Sequence, residues 1–236
     1  MLIRYHGHSC IQIMTGESSI ILDPFLTGNP VAVTRPEQIQ AHYVLLTHGH
    51  TDHITDAVAI AKQNNAPIIA AEELALHMGK QGVDVEIMNI GGEWNFDFGK
   101  VYVTPALHSS SVTDTSGESL SMGVSVGFLL TIEDYTIYYA GDTGLFGDMK
   151  WLGERQPIDL AFLPIGDRFT MGPSDAITAA QWLQAKCVVP IHFNTFPAIR
   201  QDGRDFTNRL AAQGIQGRVM EPGQTLTIKQ ILAQRG

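Results

Sequence analysis

The densest chemistry in the chain lies in one run, Thr47-His48-Gly49-His50-Thr51-Asp52-His53. Three imidazoles and a carboxylate so close together are hard to explain as packing, because buried imidazoles and carboxylates need partners. Such nitrogen and oxygen ligands suit zinc, manganese, iron or nickel. In an extended segment His48 and His50 point the same way, since side chains repeat every second residue. Asp52 and His53 enter a helical turn, where neighbouring side chains diverge by about 100°. One short segment can therefore serve two adjacent metal ions. An Asp in a first helical turn is also favoured by the helix dipole.

Three more candidate ligands follow apolar runs. His108 comes after Val101 to Leu107, Asp142 after Tyr138-Tyr139-Ala140-Gly141, and His192 after Val188-Val189-Pro190-Ile191. A lone His after a strand is more often a cap or a surface residue, and it is the run at His48 that gives these three their weight. Cys10 and Cys187 adjoin none of them and form no C-x-x-C, so both read as buried small apolar residues.

The elements that must position these groups alternate between strand and helix. Cys10 to Met14 and Ser19 to Leu22 read as a hairpin around Thr15 to Ser18, and Tyr43 to Thr47 as a buried strand. Helical spacing runs over Ile54 to Asn64, a strand over Pro67 to Ala71, and a short helix over Glu72 to Lys80. Val85 to Ile90 and Val101 to Leu107 are further strands. The second half repeats the plan: a hairpin from Val124 to Ile132 and Tyr135 to Ala140, a strand from Leu160 to Leu163, and a helix from Pro173 to Ala185. A strand over Val188 to Ile191, a helix over Phe206 to Gln213 and a last strand near Thr225 to Lys229 complete it. Two such halves, roughly 1–108 and 122–236, predict one α/β domain built as a four-layer α/β/β/α sandwich, joined by a polar segment from Ser109 to Ser121. That segment reads as a flap over the site or as a surface crossover.

With 236 residues the chain can bury a sizeable core as a single domain. Charged residues make up 17%, below the usual ~25%, which leaves room for partial coverage by a second copy in a homo-oligomer. The net charge of -9 and the lack of any Lys/Arg run argue against a nucleic-acid partner. No signal peptide is visible and no apolar stretch approaches the ~20 residues of a membrane span, so a cytoplasmic location without membrane partners is expected.

The stretches Gly7-His8-Ser9-Cys10, Leu22-Asp23-Pro24, Thr47 to His53, Gly141-Asp142-Thr143 and Pro190-Ile191-His192-Phe193 together resemble the metallo-β-lactamase superfamily over essentially the whole chain. They are similar to its bacterial and archaeal metal-dependent hydrolases near ascorbate-6-phosphate lactonase and N-acyl-phosphatidylethanolamine phospholipase D. The resemblance implies two divalent ions, zinc foremost. His48, His50 and His108 would hold the first, Asp52, His53 and His192 the second, and Asp142 would bridge them, with Asp23 orienting the His/Asp loop from behind. A hydroxide between the ions would attack an ester-type bond, phosphodiester or lactone, in a small anionic metabolite, with Asp52 and Asp142 as the catalytic carboxylates. His50 stands where flavodiiron relatives carry Glu, which favours hydrolysis over redox chemistry.

Substrate contacts are read at three positions. His8 can reach the site from the N-terminal motif, though His6 and His8 also fit as satisfied core histidines. Arg168, beside Asp167 in the second-half loop, can clamp an anion or sit in a surface salt bridge. Asn194 follows His192 and can wall the pocket. His42 and His77 read as ordinary helix residues. Two alternatives remain: a non-catalytic metal-binding scaffold of the same fold, and a nuclease or phosphodiesterase acting on nucleic acid. The first should have lost ligands and the second calls for a basic cluster.

Overall fold

A computed structural model describes residues 1–233. Its first sheet takes up β1 (Leu2–Gly7), β2 (Cys10–Met14), β3 (Ser19–Leu22), β4 (Tyr43–Leu45), β5 (Ile68–Ala70) and β6 (Val85–Ile87). The second opens with β7 (Glu93–Phe96) and β8 (Gly99–Pro105). After a separate ribbon of β9 (Ser111–Thr113) and β10 (Ser119–Ser121) it continues with β11 (Val126–Ile132), β12 (Tyr135–Tyr139), β13 (Leu160–Pro164), β14 (Cys187–Ile191) and β15 (Gln216–Gly217). β16 (Thr225–Thr227) then returns to pair antiparallel with β1. The sheet orders are β16-β1-β2-β3-β4-β5-β6 and β15-β14-β13-β12-β11-β8-β7.

Pleating sorts the side chains into three cores. Ile20, Leu22 and Leu45 of the first sheet meet Phe128, Tyr139, Phe162 and Val189 of the second in the central layer. Their neighbours Ile21, Val44 and Leu46 point outward, under α2 (Ala57–Asn64) and α3 (Glu72–Gly79). Likewise Tyr138, Ala161, Leu163 and Val188 point outward, under α4 (Asp148–Arg155), α5 (Pro173–Trp182) and α6 (Gly203–Ala211). The result is the expected α/β/β/α sandwich. β3, β4, β5 and β6 run parallel, as do β12, β13, β14 and β15. Parallel strands covered on both faces need continuous apolar sequence, which is why Leu160–Pro164 and Cys187–Ile191 are buried throughout. Each fully buried Leu, Ile or Phe contributes about 1.5–3 kcal/mol.

Several local expectations are corrected. The sheets divide the chain before Glu93, since β8 pairs with β11, β7 pairs with β8, and β16 belongs to the first sheet, whereas the expected halves met after residue 108. The helix read from Ile54 begins earlier and is broken: α1 (Thr51–Ile54) stops at Thr55, and α2 starts after Asp56. The Asp56 carboxylate accepts the Leu26 and Thr27 N–H groups and the Thr27 hydroxyl, so tertiary bonds set the break. The strand read to Lys229 ends at Thr227, where a capping box with Gln230 starts a short helix, Ile228–Leu232. Residues 109–121 contain the β9–β10 ribbon, with Asp114 accepting Ser116 and Glu118 N–H in its turn. His42 lies outside any helix, and its Nδ1 accepts the Ser19 N–H. Among the described residues no helix is long and apolar enough to cross a membrane.

Candidate metal centre

The strand ends meet along one edge of the sandwich. Asp23 follows β3, His48 follows β4 three residues after its last residue Leu45, His108 follows β8, Asp142 follows β12 and His192 follows β14. Asp142 lies at the middle of the group. Its Oδ2 is 3.0 Å from His192 Nε2, 3.6 Å from His108 Nε2 and 4.0 Å from His48 Nε2, and its Oδ1 is 3.4 Å from His53 Nε2. On one side His50 Nδ1 faces His48 Nε2 at 3.0 Å and His108 Nε2 at 3.2 Å. On the other, Asp52 Oδ2 lies 3.8 Å from His192 Nε2. All seven residues expected to be ligands are thus brought together.

Hydrogen bonds behind the cluster set which nitrogens look inward. Asp23 is fully buried; its Oδ1 accepts the Thr47 N–H at 2.8 Å, its Oδ2 accepts the Thr47 hydroxyl at 2.7 Å and the His53 Nδ1–H at 2.8 Å, and the Tyr139 hydroxyl stands 2.9 Å from Oδ2 with its proton shared with the Ser9 carbonyl at 2.6 Å. Because the Thr47 proton goes to Asp23, the Thr47 oxygen is left to accept from His48 Nδ1–H at 2.9 Å. His48 and His53 are therefore both protonated on Nδ1 and turn Nε2 toward Asp142. Gly141 makes room for this relay. Its φ is +60°, and a Cβ there would stand 2.7 Å from the Thr47 methyl.

These atoms fit a metal on grounds internal to the site. His53 Nε2 and Asp142 Oδ1 are buried without a hydrogen-bond partner, and three imidazole nitrogens crowd together around His50 Nδ1. Bare lone pairs at such distances repel, and a cation among them removes the repulsion. The charges agree. Burial holds the His48, His50 and His108 pKa values low, so these rings are neutral. At His192 burial is outweighed by Asp142, which raises the pKa to about 9. For His53 burial is likewise outweighed, by Asp142 and Asp23, and its pKa lies well above the ordinary value. Against burial, the facing imidazoles hold Asp52 and Asp142 well below the carboxylate range. Without an ion, His53 and His192 thus carry protons that a metal must displace.

The remaining candidates are placed differently. His8 is fully buried beside the cluster, its Nε2 3.1 Å from Asp52 Oδ2 and its Nδ1 2.8 Å from Thr195 Oγ1, so it touches the site with both ring nitrogens satisfied. His6 is the core histidine, bonded to Gln12. Arg168 is exposed, 5.5 Å over the Phe169 ring, and among the described residues it has no salt bridge. Its loop backs the centre: a Cβ on Gly166 would stand 2.4 Å from the His192 carbonyl oxygen. The side-chain oxygen of Asn194 accepts the Gln201 N–H, and Asn194 lines a cavity of about 760 Å³ with Tyr5, Phe193 and Arg200, whose walls include none of the seven. Sequence reasoning did not find Thr47, Tyr139 or Thr195 as supports. Only their places at strand ends could have signalled them.

Comparison with known proteins agrees with this geometry. The model of the β-lactamase superfamily domain matches residues 18–193. The UPF0173 metal-dependent hydrolase YtkL of Bacillus subtilis is 53% identical over 229 residues, which cover 97% of this chain and all of that protein. The solved structure of Igni18, a metallo hydrolase from the archaeon Ignicoccus hospitalis, is 34% identical and matches with a TM-score of 0.86 over 95% of this chain and 97% of that one. An isothiocyanate hydrolase from Delia radicum gut bacteria shares the fold, with a TM-score of 0.76 over 96% of this chain and 99% of its own at 20% identity. The chain belongs to the metallo-β-lactamase superfamily, among its metal-dependent hydrolases.

Proposed function

We propose that the protein hydrolyses a small ester-type bond, a phosphodiester or a lactone, in an anionic metabolite, using two divalent ions with zinc foremost. The single observation behind this reading is the convergence of the seven candidate ligands around Asp142, which four imidazoles approach within 4.0 Å, with buried His53 Nε2 and Asp142 Oδ1 left without hydrogen-bond partners. His48, His50 and His108 would hold one ion and Asp52, His53 and His192 the other, with Asp142 shared and Asp23 orienting His48 and His53. Divalent ions supply Lewis acidity and bring the pKa of a coordinated water to about 7.

The chain's own groups do the rest. Asp52 is the most accessible of the buried carboxylates, its side chain 32% exposed, and stands where it can orient the attacking water and take its proton. Asp142, enclosed by His192, His108 and His53, keeps its charge and fixes the spacing of the two ligand groups. Two divalent ions outweigh the Asp52 and Asp142 carboxylates, so the mouth is positive within a chain of net charge -9. That favours a small anion over a polyanion. The free guanidinium of Arg168 is suited to meet that anion.

The test is metal analysis of purified protein followed by turnover of phosphodiester, lactone and thioester panels before and after chelation. Two equivalents of metal, with phosphodiester or lactone turnover lost on chelation and regained on refilling, are expected. Full turnover in demetallated protein would refute the reading. The scaffold alternative predicts metal without turnover of any panel member. Retention on heparin at low salt would favour the nuclease.

A further inference from the structure

We propose that His8 is the positioning residue of the second ion site: its Nε2–H holds the Asp52 carboxylate in place, and His8 is not itself a ligand. The assignment rests on the two-ion reading above. Nearness alone does not separate support from ligand, because candidate ligand atoms of His8, Asp52, His53 and His192 all lie within 4.8 Å of one another.

Hydrogen bonding does separate them. His8 is fully buried, and both ring nitrogens are engaged: Nε2 with Asp52 Oδ2 at 3.1 Å, and Nδ1 with Thr195 Oγ1 at 2.8 Å. A carboxylate oxygen only accepts, so Nε2 carries a proton. The Thr195 hydroxyl can donate to Nδ1 or accept from it, and in either case Nε2 remains a donor. A protonated nitrogen has no lone pair for a metal. His53 Nε2 and His192 Nδ1, by contrast, have no hydrogen-bond partner, so neither of those rings is tied at both nitrogens as His8 is, and each is free to give up its inward proton to an ion.

Asp52 has need of such an anchor. It sits on α1, a single four-residue turn anchored through His53 and Ile54, while the Asp52 side chain itself is 32% exposed. Its nearest other imidazole, His192 Nε2, is 3.8 Å away, beyond hydrogen-bond range. His8 is tied in turn by its main chain, whose carbonyl accepts the His192 N–H at 2.8 Å and the Tyr5 hydroxyl at 3.1 Å. One residue therefore braces two ligands of the same site, Asp52 by its ring and His192 by its backbone. Asp23 differs, because it holds His53 directly and His48 through Thr47, and so supports both sites.

The test is titration of metal-free wild-type, His8→Leu, His8→Gln and Thr195→Val proteins with zinc by calorimetry and with cobalt(II) by its absorption spectrum. Wild type should bind two equivalents. His8→Leu should leave the first unchanged and weaken the second by 10–100-fold, the range for losing a residue that orients a metal ligand. His8→Gln, whose amide N–H can stand where Nε2–H stood, should recover most of that loss, which a packing role would not predict. Thr195→Val should weaken the second equivalent by about tenfold, and it carries the test if His8→Leu does not fold. The assignment is overturned if Leu and Gln behave alike, or if both equivalents weaken together. A single equivalent in wild type would instead sink the two-ion reading, and this assignment with it.

Discussion

Replacing Asp23 by Asn keeps the shape of the side chain and removes only charge and one acceptor. The consequence can be worked through contact by contact. The carboxylate accepts three full hydrogen bonds, one on Oδ1 from the Thr47 N–H and two on Oδ2 from the Thr47 hydroxyl and His53, while the Tyr139 hydroxyl, whose one proton also faces the Ser9 carbonyl at 2.6 Å, lies against Oδ2. An amide nitrogen at the Oδ2 position would meet two donors, the Thr47 hydroxyl and His53 Nδ1–H. At the Oδ1 position it would meet only the Thr47 N–H, so this is the orientation the variant takes. One buried backbone N–H is then unpaired, at about 1–3 kcal/mol, and two charge-assisted bonds become neutral ones at about 1 kcal/mol each. The sum is about 4 kcal/mol. At about 2.1 cal/mol/K per residue, 236 residues give an unfolding entropy near 0.5 kcal/mol/K, so Tm should fall by about 8 °C. Both ions should also bind more weakly, by 10–100-fold, since His48 and His53 lose the anion that fixes their tautomers. Calorimetry on metal-free protein and zinc competition with a chromophoric chelator read the two effects separately. A Tm within about 2 °C of wild type, together with unchanged zinc affinity, would refute the relay.

Other perturbations probe independent links. His6 is buried, donates to Gln12 Oε1 at 3.1 Å, and burial lowers its pKa from 6.5 to about 4. Between those values the unfolded chain takes up a proton that the folded chain refuses, so stability is full above pH 6.5 and falls as pH drops toward 4. Wild type should accordingly lose about 2 kcal/mol relative to His6→Gln between pH 7.5 and pH 5 in urea unfolding, and a pH-independent gap would count against this. Gly141→Ala should cost about 2–3 kcal/mol, because φ is +60° and the new Cβ meets Thr47; a wild-type melting curve would show that the relay tolerates displacement. Arg168→Ala should raise KM about tenfold for an anionic substrate and leave a neutral analogue and kcat unchanged; equal KM changes for both substrates would remove Arg168 from anion binding.

Much of the site was readable because parallel strands announce themselves. Asp23, Asp142 and His192 each follow an apolar run buried on both faces, and a side chain placed just past such a run must emerge at the sheet edge. The spacing from His48 to His53 was local, so it needed no knowledge of the fold. What stayed hidden depends on partners far away in the chain. His8 is 44 residues from Asp52 and 187 from Thr195, and no local pattern tells a brace from a core histidine. The break before α2 is set by loop amides around Leu26, while the apolar spacing on either side continues unchanged. The β9 and β10 strands are three residues each and mostly exposed, too short for their alternation to stand out from the polar segment around them. The last helix did leave a sign: Thr227 and Gln230 stand at capping-box spacing, and the apolar residues of Thr225 to Lys229 overrode it.

Backbone strain at the edge has the same origin as the site. His8, Asp23 and His192 all adopt positive φ, at 58°, 44° and 51°, each directly after a strand. The chain must turn sharply there if the side chain is to face the gap between the sheets. For a residue with a Cβ each such turn costs about 1–2 kcal/mol, and glycine would remove the cost together with the imidazole or carboxylate. The strain is held in place by the central core, which joins strands of both sheets. The ligands divide in the same way: His48, His50, Asp52 and His53 come from the first sheet's side, and His108, Asp142 and His192 from the second. A metal held at this centre would therefore close the sandwich at the edge where the backbone is most strained, and the conformations that cost the fold stability are the ones that bring the candidate ligands together.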